Sequence, residues 1–279
     1  MKESYINTTS IKISVIIPTY KPHAYIMKCL DSVSRQTLNH DLFELIIIVN
    51  GCNEPYYPMI KKEIEKLQLS AQIIQTDVLG VSNARNLGLM ASKGEYVTFL
   101  DDDDWLSDNY LENLLTCMKG DNCITIANAK NYNEQTKQIE DKFFAQAYKK
   151  CLHNDTLTLL KGRTFLSTSC CKLIPSNMIH GAKFDKALPL GEDAYFMATI
   201  SHHIKHIILA PPNTIYYIRE RKNSASRAKH KIGQVANNTI LLVYKYTSTY
   251  FSHPTQYNLP FFLNRLFAIL KNAMCLLRS

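Results

Sequence analysis

The chain has 279 residues, 46% of them hydrophobic and 20% charged, a globular make-up with enough length for one large core and an appendage. This composition excludes extensive disorder, and no uninterrupted apolar run approaches the length of a membrane span. A formal charge of +8 fits an anionic ligand or surface without choosing among nucleic acid, membrane and nucleotide.

In chain order, Ile13 to Ile17 is a continuous apolar run closed by Pro18, the mark of a strand covered on both faces. Ile26, Leu30, Val33 and Leu38 then recur at helical spacing, which predicts a helix from Pro22 to about Thr37 with proline in its first turn. Leu45 to Val49 is a second buried strand, followed by the turn Asn50-Gly51-Cys52-Asn53. A charged helix over Met59 to Leu69, a strand at Ala71 to Gln75, a helix at Val81 to Ala91 and a strand at Tyr96 to Leu100 follow. This alternation predicts an α/β fold, a mostly parallel doubly wound sheet whose ligands bind beyond the carboxyl ends of the strands.

Three polar turns sit at such ends: Pro18-Thr19-Tyr20, Asn50-Gly51 and the four acids Asp101, Asp102, Asp103 and Asp104. Past the end of an extended strand, Asp101 and Asp103 project to one side and can share a divalent cation, while Asp102 points away. The bland account is an acidic turn capping a helix that starts near Ser107, with Asp104 or Ser107 as its N-cap. Neither GxGxxG nor GxxxxGK[ST] is present, which excludes the usual dinucleotide and P-loop sites.

From Asn128 to Leu166 the sequence turns polar and loses its period, which suggests a flexible functional segment more than a mere connector. Thr168 to Ile174 is extended, and Gly191-Glu192-Asp193 opens a helix whose first residues are acids. His202 and His206, at i and i+4, lack a third ligand and the glutamate of HExxH, so no zinc site is expected. The eight cysteines show no CxxC spacing and are expected to be reduced thiols. Lys229 to Tyr250 and Leu259 to Leu277 read as helices. The second has apolar residues beside Arg265, Lys271 and Arg278, which suits packing on the domain or lying at an anionic leaflet. The first ten residues hold no basic and apolar leader, so the expected location is cytoplasmic, with the cytoplasmic face of the cell membrane as the interfacial alternative.

Five stretches together carry a resemblance: Ser14-Val15-Ile16-Ile17-Pro18-Thr19-Tyr20, Leu30 to Thr37, Gly80 to Gly88, Phe99 to Trp105 and Gly191-Glu192-Asp193. In this order they resemble the family 2 glycosyltransferases with the GT-A fold, over about the first 225 residues. The resemblance implies a catalytic domain over residues 1–227, a helical appendage over 228–279 and an inverting transfer from a nucleotide-diphosphate sugar with Mn2+ or Mg2+. The implied acceptor is a glycan or lipid-linked glycan of a bacterial surface polysaccharide, and no nucleic acid is implied. By position, Pro18, Thr19, Tyr20, Asn50, Arg85, Asn86, Asp101 and Asp102 would line the donor, with Arg221 and Arg227 closing on the diphosphate. Asp103 and Asp101 would hold the metal, and Asp193, supported by Glu192, would be the general base. Asn50-Gly51 stands where the family usually has acids, which leaves the base open; a nucleotide-sugar-binding inactive paralogue and a sugar nucleotidyltransferase remain as alternatives.

Overall fold

The computed structural model describes residues 10–221 and 231–276. The strands are β1 (Ile13–Thr19), β2 (Phe43–Asn50), β3 (Ala71–Thr76), β4 (Tyr96–Phe99), β5 (Trp105–Leu106), β6 (Cys123–Ile126), β7 (Asn128–Asn133), β8 (Ile139–Glu140), β9 (Lys172–Pro175), β10 (His206–Leu209) and β11 (Ile215–Glu220). The helices are α1 (Tyr25–Ser34), α2 (Tyr56–Lys66), α3 (Val81–Ala91), α4 (Tyr110–Thr116), α5 (Phe143–Cys151), α6 (Ser176–Ile179), α7 (Glu192–Thr199), α8 (Ile232–Ser252) and α9 (Leu259–Leu276).

The main sheet has the order β10-β6-β9-β4-β1-β2-β3. β9 is antiparallel to both its neighbours, and the other described pairings are parallel. The α/β expectation is therefore met, with one reversed strand that no local pattern announces. β1 runs two residues past Ile17, because its pairing with β4 stops at Ile16↔Phe99 while its pairing with β2 continues to Thr19↔Val49. Pro18, which has no N–H, thus lies beyond the last partner on the β4 side and costs no ladder bond there. A smaller sheet, β5-β11-β7-β8, stands beside the acid turn.

Several expectations change. α1 starts at Tyr25, because Lys21 takes a positive φ of 45° and bends the chain, so Pro22 precedes the helix. Residues 128–166 are ordered into β7, β8, α5 and a short 3₁₀ turn at Arg163–Ser167. Their polar residues mask the periodicity because β7 is only half buried. α4 begins at Tyr110 after Asn109, so neither Asp104 nor Ser107 caps it. His202 lies in a 3₁₀ turn and His206 opens β10, so the helical i, i+4 pair never forms. The domain boundary at residue 227 lies outside the described residues.

α8 and α9 dock on α7. Tyr195 and Thr249 hydroxyls meet at 2.8 Å, Tyr257 donates to the Thr199 carbonyl at 3.0 Å, and Lys245 pairs with Asp185 at 2.7 Å. Phe262 is buried against Tyr246, Tyr250 and Tyr257, and Phe261, also buried, packs on Phe262.

Candidate active site

The backbone N–H of Asp104 donates to the Asp101 carbonyl at 3.1 Å, closing a turn immediately after β4. The turn cancels the strand-like alternation expected of the four acids and sends each to a separate partner. Asp101 accepts from Arg85 Nη2 at 3.0 Å, Asp102 from Thr19 Oγ1 at 2.5 Å, and Asp103 pairs with Arg221 Nη2 at 2.5 Å. Asp104 is buried and accepts from the Arg219 backbone N–H at 2.8 Å. Burial pushes the Asp102 carboxyl up to about 7, the Thr19 hydroxyl opposing and the charges of Asp103 and Asp101 adding to the rise. Burial, reinforced by Asp103 and Asp101, also raises Asp104 well above the carboxylate range.

Arg85, on the inward face of α3, ties this turn to α7. Its Nη1 donates to Asp193 Oδ1 at 2.6 Å and lies 3.5 Å from Glu192 Oε1, while Nη2 reaches Asp101. Burial alone would discharge the guanidinium, but the surrounding acids outweigh it and keep the pKa above its usual value. Arg85 was expected beside the base or diphosphate. Three carboxylates occupy it instead, and its role in this structure is a clamp between the acid turn and α7.

Asp193 is held further by Ser169 Oγ at 3.0 Å and Thr168 Oγ1 at 3.5 Å, two donors that sequence reading left unassigned. Their loop is fixed by Lys172, fully buried, whose Nζ donates to the carbonyls of Thr168 and, at 2.6 Å, Cys170. Burial lowers the Lys172 amine to about 8. Glu192 is raised to about 7 by burial and by the charge of Asp193, with Arg85 opposing. Gly191 caps α7 in the left-handed region at φ 83°, where a side chain would be strained.

Pro18, Thr19, Tyr20 and Asn50 line one cavity of about 410 Å³ with Leu79, Gly80 and Val81. Gly51 makes the turn after β2 possible. Its φ is 95°, and a Cβ there would stand 2.7 Å from Leu79 Cδ2 and 3.0 Å from Tyr20 Cε2. Asn50 is 5% exposed, and its Oδ1 is buried without a hydrogen-bond partner among the described residues. Leu79 and Val81, exposed apolar residues that flank the start of α3, were missed because nothing in the pattern separates them from an ordinary helix entry. Asn86 leaves the donor group expected of it: its amide donates to the Phe184 carbonyl at 2.9 Å and accepts from the Phe184 N–H at 2.8 Å. Both its polar atoms serve the core. Arg227 lies outside the described residues.

Among the described residues, no group of three or more His, Cys, Asp or Glu side chains gathers as a metal site. The donor chemistry nonetheless fits Mg2+ or Mn2+. Asp101 to Asp103 offer hard carboxylate oxygens in local excess of negative charge, and such ions bind through one or two carboxylates with substrate phosphates completing the shell.

A reversed strand within a parallel sheet, an acid turn at the carboxyl edge and a cavity beside it define the GT-A class of glycosyltransferase folds. The model for glycosyl transferase family 2 matches residues 14–179, and the chain belongs to that family. Glycosyltransferase GlyA of Streptococcus pneumoniae is 28% identical over 77% of this chain and 32% of its own length. An uncharacterized glycosyltransferase of Haemophilus influenzae is 28% identical over 78% of this chain and 83% of its own. The crystal structure of Staphylococcus aureus TarS 1–349 in complex with UDP-GlcNAc superposes with a TM-score of 0.69 at 21% identity, over 85% of this chain and 66% of that one. The chain spans 32%, 39% and 23% of the lengths of GlyA and of the Bacillus subtilis proteins EpsH and GgaB.

Proposed function

We propose that this chain transfers one sugar, with inversion, from a UDP-sugar to a hydroxyl of a glycan or lipid-linked oligosaccharide in surface-polysaccharide synthesis. The observation that carries the donor is the buried, unmet Asn50 Oδ1 beside a cavity lined by Thr19, Tyr20 and Leu79. A buried acceptor oxygen needs an N–H, which the imide of uracil supplies while its ring packs on apolar side chains. TarS has been crystallised with UDP and with UDP-GlcNAc, which supports the same donor class. TarS is named a poly(ribitol-phosphate) β-N-acetylglucosaminyltransferase and GgaB a minor teichoic acid biosynthesis protein, which supports a surface polymer as the setting.

In this reading Asp103 and Asp101 hold Mn2+ or Mg2+, which when bound offsets the charge that grows on the departing diphosphate. Arg221, now on Asp103, has the fork geometry to turn to phosphate oxygens. Asp193 takes the proton of the attacking hydroxyl, and Glu192 positions the acceptor. The apolar outer face of α9 makes a peripheral contact with the inner leaflet of the cell membrane, which keeps the chain on its cytoplasmic side.

Thermal shift with nucleotide-diphosphate sugars, with and without Mn2+, tests the reading, since a ligand that binds only the native state raises its stability. UDP-sugars are expected to raise the Tm and to release UDP when an acceptor is supplied. Binding without release by any acceptor favours an inactive paralogue. Indifference to every nucleotide overturns the donor assignment.

A further inference from the structure

A second cavity, of about 590 Å³, lies among α7, α8, α9 and the 3₁₀ turn at Arg163–Ser167. Leu190 and Gly191, which lead directly into Glu192 and Asp193, form part of its wall, so it adjoins the end of the site that holds those acids. Among the described residues the wall contains two cations, Arg163 and Arg265, and no carboxylate. Arg265 is 9% exposed, and its Nε is buried without a hydrogen-bond partner. Asn238 Oδ1 is buried in the same condition, and so is the Tyr246 hydroxyl, which lies beside the Arg265 guanidinium and feels its charge. Asn238 donates one amide hydrogen to the Leu190 carbonyl at 3.3 Å, and its oxygen is the unmet group.

A guanidinium withdrawn from water with no counter-charge is costly, and so is each orphaned polar atom beside it. Packing alone does not account for them, because a methionine would fill the same space. The four groups share one complement: an anion for the guanidinium forks and hydroxyls for the amide oxygen and the phenol. We infer that this cavity is an acceptor subsite that binds a phosphate-bearing polyol or sugar, with the phosphate on Arg265 and Arg163 and hydroxyls on Asn238 and Tyr246. The inference rests on the reading of Glu192 and Asp193 as the acceptor end of the active site. Its phosphate belongs either to a soluble glycan or to a lipid-borne carrier.

The test uses the full chain with UDP held in excess, so that the donor cavity is occupied. sn-Glycerol 3-phosphate is titrated against glycerol plus sodium chloride at matched ionic strength, and phosphatidic acid in phosphatidylcholine vesicles is presented in a flotation assay. Wild type is expected to show a saturable Tm rise of roughly 2–4 °C with glycerol 3-phosphate, as for a ligand at several times its Kd. Flotation without that rise, lost in Arg265→Met, assigns the phosphate to a lipid, since binding through the outer face of α9 would survive that change. Arg265→Met should abolish whichever response occurs. So should Asn264→Asp, which places a carboxylate in the same wall and leaves the packed core intact. Responses that persist in both variants, or the absence of both responses in wild type, overturn the inference. The Tm rise with UDP alone, measured in all three proteins, reports on the donor assignment separately.

Discussion

Asp193 and Glu192 are adjacent in sequence yet differ in what surrounds them. Asp193 is fixed by Arg85, Ser169 and Thr168, whereas Glu192 is held near 7 mainly by burial. A general base needs both placement and a pKa near the working pH; hydrogen bonds give Asp193 the placement, and burial brings Glu192 to such a pKa. With Asp193 as base, Asp193→Asn should lower turnover by roughly 100-fold or more with donor affinity near wild type, and Glu192→Gln should lower it by about 10-fold. The reverse order of losses would move the proton to Glu192, and its rise to about 7 would then set the acid limb of the pH–rate profile. Asp102 offers a stability test. Burial raises its carboxyl from the ordinary 3.8 to about 7, so the folded state keeps a proton that the unfolded state has lost. The associated stability is present below about pH 4 and disappears as pH rises through 7. Glu192 acts in the same direction over nearly the same window. Metal-free protein should therefore lose Tm between pH 5 and 7.5. Asp102→Asn, which keeps an acceptor for Thr19, should flatten that loss and recover roughly 1–2 kcal/mol at pH 7.5 in urea melts, allowing for partial exposure. A parallel pH profile in wild type and variant would show that Asp102 is ionised throughout.

At the level of elements, the strands and helices that carry a strong period were legible, and α3 has the predicted bounds of Val81–Ala91. What was not legible depends on distant partners. The acid turn reads as a strand end until the Asp104 N–H finds the Asp101 carbonyl, and the reversal of β9 is set by its neighbours rather than by its own residues. Pro18, Thr19, Tyr20 and Asn50, expected on the donor side, line one cavity because the carboxyl ends of β1 and β2 lie side by side in one parallel sheet. The partners of Arg85 and Asn86 were not legible, because a polar residue on a helix announces neither its burial nor its partner. The turn after β2 offers a direct test of the cavity it shapes. Gly51→Ala puts a methyl group against Leu79 and Tyr20 and strains a φ of 95°, so a loss of about 1–3 kcal/mol is expected from thermal melts. Because Leu79 and Tyr20 line the cavity, UDP affinity should fall by about 10-fold in the same protein. If the Tm falls and UDP binding does not, the nucleotide lies elsewhere.

Over the whole molecule the charge is unevenly placed. Residues 221–279 hold nine lysines and arginines and no Asp or Glu, while the preceding 220 residues hold 23 cations and 24 acids and are nearly neutral. The same C-terminal stretch carries α9, which is long and apolar enough to cross a membrane by length and composition. Its inner face is committed to the protein, since Phe261, Phe262 and Arg265 are buried. The opposite face presents Leu259, Leu263, Phe267, Leu270 and Met274, each 44% exposed or more and spaced along one stripe. Packing takes one side of the helix, and the interfacial binding proposed above would use the opposite one. An apolar stripe on a cationic segment has the complement of an anionic leaflet, through burial of the stripe and attraction of the charges. Phe267→Ser combined with Leu270→Gln removes much of the stripe and leaves the inner face untouched. The double variant should keep the wild-type Tm and lose about 10-fold or more in affinity for phosphatidylglycerol vesicles, measured by co-sedimentation at low salt. Binding by wild type should also weaken as salt is raised, because screening reduces the attraction between the cations and the leaflet. Vesicle binding that is unchanged in the double variant would place the contact outside α9. A rise from monomer to dimer in wild type that the variant abolishes, with no vesicle binding in either, would make the stripe a contact between copies of this chain.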